Sequence, residues 1–278
     1  MEQARLVKLG EKLKLKDEAT KPPENVEKEA VLARIDELAP ELTRLLDLFA
    51  FSAVHPLLLV FQGMDTAGKD GAARHLFGMS SILSARVAGF KRPTEEELAH
   101  DYLWRVHKQT PGKGELVLFN RSHYEDVLVV KVHGLASTEA IEKRYDQINA
   151  FENHLFENGT MIHKFFLHIS KKEQEKRLLE RESEPSAAWK LSAGDWKERE
   201  KWDDYQDAYG TALSRCSTEP APWQIIPADK KWYRNLLVTE ALFTALQARE
   251  KDYVGALEKL GAARKSELAA YRAGLETA

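Results

Sequence analysis

An apolar run, Leu57-Leu58-Leu59-Val60-Phe61, leads within two residues into Gly63-Met64-Asp65-Thr66-Ala67-Gly68-Lys69. A short continuous run without alternation fits a strand covered on both faces, as in a parallel sheet. The spacing G-x-x-x-x-G-K behind such a strand, with Ala72, Ala73, Leu76 and Phe77 opening a helix after it, marks a phosphate-binding loop. The glycines let backbone N–H groups converge on an anion, and the helix N-terminus adds the positive end of its dipole. Lys69 adds a point charge. Lys69 is therefore a catalytic candidate, and Gly63, Ala67, Gly68, Asp70 and Gly71 are phosphate-binding candidates.

The same period-free pattern recurs at 116–119, 165–169 and 223–227, and more weakly at 86–90. Between these runs lie helical patterns, such as Ile141, Tyr145, Ile148, Phe151 and Leu155 on one face. Strands alternating with helices predict an α/β domain of three layers with a mainly parallel sheet. No repeat or linker divides the chain, so residues 1–278 are expected to form one domain. Within it, 1–26 reads as a charged arm stopped by Pro22-Pro23, and 27–52 as an amphipathic helix. Residues from about 171 to 209, charged and carrying Trp189, Trp196 and Trp202, read as projecting paired helices: either a mobile lid or ordinary surface helices.

Composition removes several functions. The net charge of −3 excludes a chain-wide basic field, so nucleic acid is not an expected partner and any anion site must be local. Cys216 is the sole cysteine, which rules out an internal disulfide and suits a reducing cytoplasm. The N-terminus has no apolar core of a signal peptide. The longest apolar stretch, Leu48 to Phe61, is broken by His55 and Pro56 and is too short to span a bilayer. A cytoplasmic protein with no membrane partner is expected.

Two loop residues are unusual. Asp70 stands where ordinary phosphate loops carry Ser or Thr for Mg²⁺. Asp65 lies inside the loop, where a carboxylate repels phosphates unless it binds a metal or takes a proton as general base. The second strand ends at Asn120, where a metal-orienting Asp is usual, and Glu125 and Asp126 are the candidate replacement carboxylates or else acids complementing a helix dipole. Arg121 follows the strand at the carboxyl edge of the sheet, where ligands bind in such folds. Lys91, Arg92 and Arg105 are candidates to clamp an acceptor phosphate. Arg177 and Arg181 share a helix face and either pair with neighbouring acids, such as Glu173, or deliver two guanidinium groups to a transferring phosphoryl group.

Together GMDTAGKDG, FKRPTEEELAHDYLWRVHKQTP, FNRSHYEDVLV, the segment KKEQEKRLLERES…WKLSAGDW…WDDY, and PWQIIPADKKWYRN resemble polyphosphate kinase family 2, over about Ala30 to Arg249. The resemblance implies a P-loop kinase fold with a helical lid and an N-terminal helical extension. It implies reversible, Mg²⁺-dependent transfer (Mn²⁺ as the alternative ion) between inorganic polyphosphate and AMP or ADP, with guanine nucleotides as a second class and a homo-oligomeric assembly. By position, Asp65 and Lys69 match the family's loop carboxylate and lysine, Arg121 the arginine after the strand, and Arg177 and Arg181 the lid arginines. Lys91 and Arg92 fall in the acceptor-side basic segment. Many members have D-R-S-W-Y-N-R where this chain has N-R-S-H-Y-E-D, a form that resembles the subgroup accepting both mono- and diphosphates. Lys113, Lys131 and Lys190 are candidates for a polyphosphate track. The rival readings are an ATP-dependent nucleoside monophosphate kinase and a nucleotide-binding scaffold without catalysis.

Overall fold

The structure, a computed structural model, describes residues 4–79, 85–183 and 193–276. Among the described residues six strands form one sheet: β1 (Arg5–Leu6), β2 (Leu57–Gln62), β3 (Ala85–Gly89), β4 (Leu116–Asn120), β5 (Met161–His168) and β6 (Trp223–Pro227). Their order is β1-β6-β5-β2-β4-β3, and all neighbours are parallel except β1, which runs antiparallel to β6. Every residue of β2 is buried, which is why its sequence does not alternate.

Helices cover the sheet. Helix α1 (Lys28–Ser52) packs on α10 (Lys231–Gln247) and α11 (Glu250–Glu276), and α10 packs on α2 (Lys69–Phe77). A second group comprises α5 (Val129–Val132), α6 (Thr138–Glu157), α9 (Trp202–Arg215) and a 3₁₀ turn over His123–Val127. Two short helices, α3 (Glu95–Leu98) and α4 (Trp104–His107), lie in the connection from β3 to β4. Helices α7 (Lys171–Ser183) and α8 (Ala193–Glu200) follow β5. Among the described residues no helix is long and apolar enough to cross a membrane.

Three expectations change. The described part of the arm, residues 4–26, is docked: β1 pairs with β6, and Val7 and Leu15 are buried in the core. Strand β5 starts at Met161, four residues before the apolar run read at 165–169. The start was hidden by Lys164, a fully buried lysine whose ammonium donates to Glu152 Oε2 (2.6 Å), Tyr124 Oη (2.8 Å) and the Cys216 carbonyl (2.6 Å). Finally, the predicted projecting segment divides. Trp202, Tyr205 and Tyr209 of α9 belong to the core, leaving α7 and α8 as its outer part; Trp189 and Lys190 lie outside the described residues.

Candidate active site

The loop after β2 turns through two glycines at positive φ, +151° at Gly63 and +98° at Gly68. At Gly63 a Cβ would stand 2.6 Å from the Leu167 carbonyl oxygen, so only glycine lets the loop pass over β5. Lys69 opens α2 and curls into the loop, where its Nζ donates to the carbonyls of Gly63 (2.7 Å) and Met64 (3.3 Å). Burial, aided by the charge of Arg121, lowers its pKa to about 8.

The end of β4 lies beside this loop. Arg121, itself at φ +63°, donates its backbone N–H to the Phe61 carbonyl at 3.2 Å. That anchoring sets its guanidinium between two carboxylates, Asp65 (2.6 Å) and Glu125 (3.4 Å). Burial opposes its charge, but Glu125 and Asp65 outweigh burial and hold its pKa above the ordinary value. Asn120 donates from Nδ2 to Asp70 Oδ1 at 2.6 Å.

The neighbouring acids Glu125 and Asp126 part company. Glu125 faces Arg121 and Asp65, whereas Asp126 turns to Arg144, which donates to its carbonyl (2.9 Å) and carboxylate (3.4 Å). Burial raises the Asp126 pKa in spite of Arg144. Asp126, read from the sequence as a candidate metal carboxylate, lines a separate cavity of about 730 Å³, apart from the one that Asp65 and Lys69 line. Arg105 lines that second cavity too. Its buried guanidinium donates to the Lys91 carbonyl (2.9 Å) and lies 3.4 Å from Glu97, which supports the loop after β3.

From α7, Arg177 reaches under the loop with all five N–H groups engaged. They go to Glu173 (2.9 Å), the carbonyls of Thr66 (2.9 Å) and Ala67 (3.2 Å), and the carbonyls of Ala228 (2.7 Å) and Asp229 (3.2 Å). Arg177 thus fastens the phosphate loop to the end of β6, while Arg181 pairs with Asp195 of α8 at 3.1 Å. Arg234 of α10 donates to the Gly68 carbonyl at 3.1 Å. Burial, reinforced by Arg177, lowers its pKa to about 10.

These elements enclose a cavity of about 520 Å³. Among the described residues it is lined by eight cations (Lys69, Arg74, Lys91, Arg121, Arg177, Arg181, Lys231 and Arg234) against three acids (Asp65, Asp70 and Glu180). Gly68, Gly71 and Asn120 complete the sequence-derived residues along its wall; Gly63 touches a small adjoining recess with Glu125, and Ala67 is buried beneath the loop. Exposed Arg92, Lys113 and Lys131 do not line the cavity. Arg74, Lys231 and Arg234 were missed. The signal for the last two was present in ADKKWYRN, which places cations in the first turn of a helix after a strand's carboxyl end.

A glycine-rich loop between a central parallel strand and a helix, opening on a cavity with such a cationic excess, defines a P-loop phosphotransferase. The family model for polyphosphate kinase 2 matches residues 25–253. The chain is 50% identical over 226 residues to the AMP/ADP-polyphosphate phosphotransferase of Meiothermus ruber, covering 81% of this chain and 85% of that protein. It is 43% identical over 224 residues to the ADP-polyphosphate phosphotransferase of Rhodopseudomonas palustris, covering 76% and 78%. Its fold matches the crystal structure of polyphosphate kinase 2 from Arthrobacter aurescens TC1 with a TM-score of 0.81 and 41% identity, over 89% of this chain and 91% of that one. The chain belongs to the polyphosphate kinase 2 family.

Proposed function

We propose that the protein transfers terminal phosphoryl groups from inorganic polyphosphate to AMP and ADP. The observation that carries this reading is the cavity itself, where eight cations face three acids beside the phosphate loop. A polyphosphate chain bears a negative charge on each phosphate and has no base to recognise, so an extended cationic wall suits it. The names of the Meiothermus and Rhodopseudomonas relatives point to the same donor and to adenine acceptors, and favour polyphosphate over ATP as donor.

The reaction breaks the terminal phosphoanhydride bond of polyphosphate and forms one phosphoanhydride bond on the terminal phosphate of the acceptor. Polyphosphate to ADP exchanges anhydride for anhydride, which makes the step readily reversible. The attacking oxygen belongs to a phosphate whose second pKa is about 6, so at neutral pH it is already ionised and needs no base. Asp65 is therefore read as a metal carboxylate and not as a general base. The residues fit Mg²⁺: Asp65 and Glu125 offer hard oxygen donors beside the loop. The described residues contain no cluster of three or more Asp, Glu, His or Cys arranged for a metal, and Mg²⁺ needs only one or two carboxylates because phosphate and water complete its shell. When bound, the ion would neutralise phosphate charge; Mn²⁺ has the same ligand preference.

The remaining work falls to the chain. Lys69 and the loop N–H groups hold the phosphates next to the reacting bond. Arg121, bracketed by carboxylates, and Arg181, at the tip of α7, supply charge where it builds up in the transition state. Lys91 faces the acceptor from the end of β3, and Arg234, Lys231 and Arg74 extend the track for the donor. Helices α7 and α8 act as the lid that carries Arg181.

The test is turnover of AMP and of ADP with Mg²⁺, each offered polyphosphate or ATP, with products separated by chromatography. ADP and ATP arising from AMP plus polyphosphate is the expected result. Transfer from ATP alone would overturn the reading.

A further inference from the structure

The two positions at which this chain departs from an ordinary phosphate-loop kinase touch one another. An ordinary loop follows its lysine with Ser or Thr and ends its partner strand in Asp. Here those positions are Asp70 and Asn120, and although they are far apart in sequence, Asn120 Nδ2 lies 2.6 Å from Asp70 Oδ1. A carboxylate has no proton to give, so the amide nitrogen must be the donor and the amide cannot be turned around. The contact therefore fixes the plane of the Asn120 side chain.

Asp70 has no other evident task. Among the described residues no cation forms an ion pair with it, and the hydrogen bond to Asn120 is the one its carboxylate makes. It is an exposed residue in the first turn of α2, where the helix dipole favours a carboxylate. Both side chains face the cationic cavity. The pair carries one negative charge, the same as a single Asp at the end of β4, but the charge has moved across to α2. The group left at the strand end is a neutral amide, which does not repel a phosphate.

We propose that Asp70 is a positioning residue for phosphoryl transfer: it holds the Asn120 amide by one N–H, and so presents the amide oxygen and the second N–H in a fixed plane to the phosphates in the cavity. The inference rests on the phosphotransfer reading above. It assigns Asp70 a role through Asn120, distinct from direct contact with the substrate.

A double-mutant cycle tests it. Asp70→Ala removes the acceptor and frees the amide; Asn120→Ala removes the amide that Asp70 holds. Each single variant is expected to lower kcat by about tenfold or more, the size of a lost hydrogen bond to a charged group, with the melting temperature within about 3 °C of the wild type. With the amide gone Asp70 has nothing to hold, so Asp70→Ala/Asn120→Ala is expected to have the kcat of Asn120→Ala alone, where independent residues would multiply their losses. A kcat for Asp70→Ala equal to the wild type overturns the proposal, as does multiplication of the two losses in the double variant. A melting temperature that falls in step with kcat would show a structural role and overturn it too. The wild-type rate, measured alongside, separates the two readings: no transfer by the wild type defeats the proposed function, whereas an active wild type with indifferent variants defeats only the role of Asp70.

Discussion

Arg177 distinguishes fastening from direct catalysis. Its buried guanidinium makes five hydrogen bonds, four of them to carbonyls that join the phosphate loop to the end of β6. Arg177→Lys keeps the charge but offers three donors from one nitrogen, so at least two bonds and the planar fork are lost. Each hydrogen bond to a charged group contributes about 1.5–3 kcal/mol, which gives a loss of about 3 kcal/mol at the lower bound for two. At about 2–4 °C per kcal/mol for a chain near this size, the melting temperature should fall by about 6–12 °C. The Thr66 and Ala67 carbonyls lie within the loop that holds phosphate, so the rate of transfer should fall as well. Differential scanning calorimetry and a steady-state transfer assay on the same preparation read both effects. An unchanged melting temperature with transfer abolished would refute the reasoning, because it would mean that Arg177 leaves the carbonyls and acts on the phosphoryl group.

Further outcomes follow from the same geometry. Asp65→Asn should abolish transfer while leaving the melting curve in place; near-normal turnover would remove Asp65 from the metal site. Lys69, with its pKa lowered to about 8 by burial, is charged below that pH and loses its proton above it. A bound phosphate favours the ammonium form, so polyphosphate binding should take up protons at about pH 9 and take up none through Lys69 at about pH 6.5. Calorimetric titration in buffers of different ionisation enthalpy measures this, and equal uptake at both values would contradict the buried position of Lys69. Lys164→Met leaves Glu152 buried without its ammonium, and should cost about 3–5 kcal/mol in chemical denaturation. Adding Glu152→Gln should return part of that loss, and failure to do so would show that the two do not act as a pair.

The strands and the phosphate loop were legible because their patterns are local. Burial on both faces makes an apolar run, and G-x-x-x-x-G-K needs no distant residue to be read. What was hidden depends on pairing through space. Lys164 interrupts the pattern of β5 but is neutralised by Glu152 on α6, so a polar residue sits inside a core strand. Glu125 and Asp126 are adjacent in sequence, yet a 3₁₀ turn sends one to Arg121 and the other to Arg144. Arg177 and Arg181 share a helix face, but only the first lies close enough to the loop to give four of its five donors to carbonyls. Arg234 comes from α10 and reaches the loop only because α10 packs on α2.

The donor is tested most directly by setting polyphosphate and ATP in competition. AMP, Mg²⁺, uniformly ³²P-labelled polyphosphate and unlabelled ATP are mixed with the protein, and the ADP formed is isolated before the acceptor is exhausted. Label in the β-phosphate of ADP is the expected result. Unlabelled ADP, formed while the polyphosphate remains intact, would contradict it.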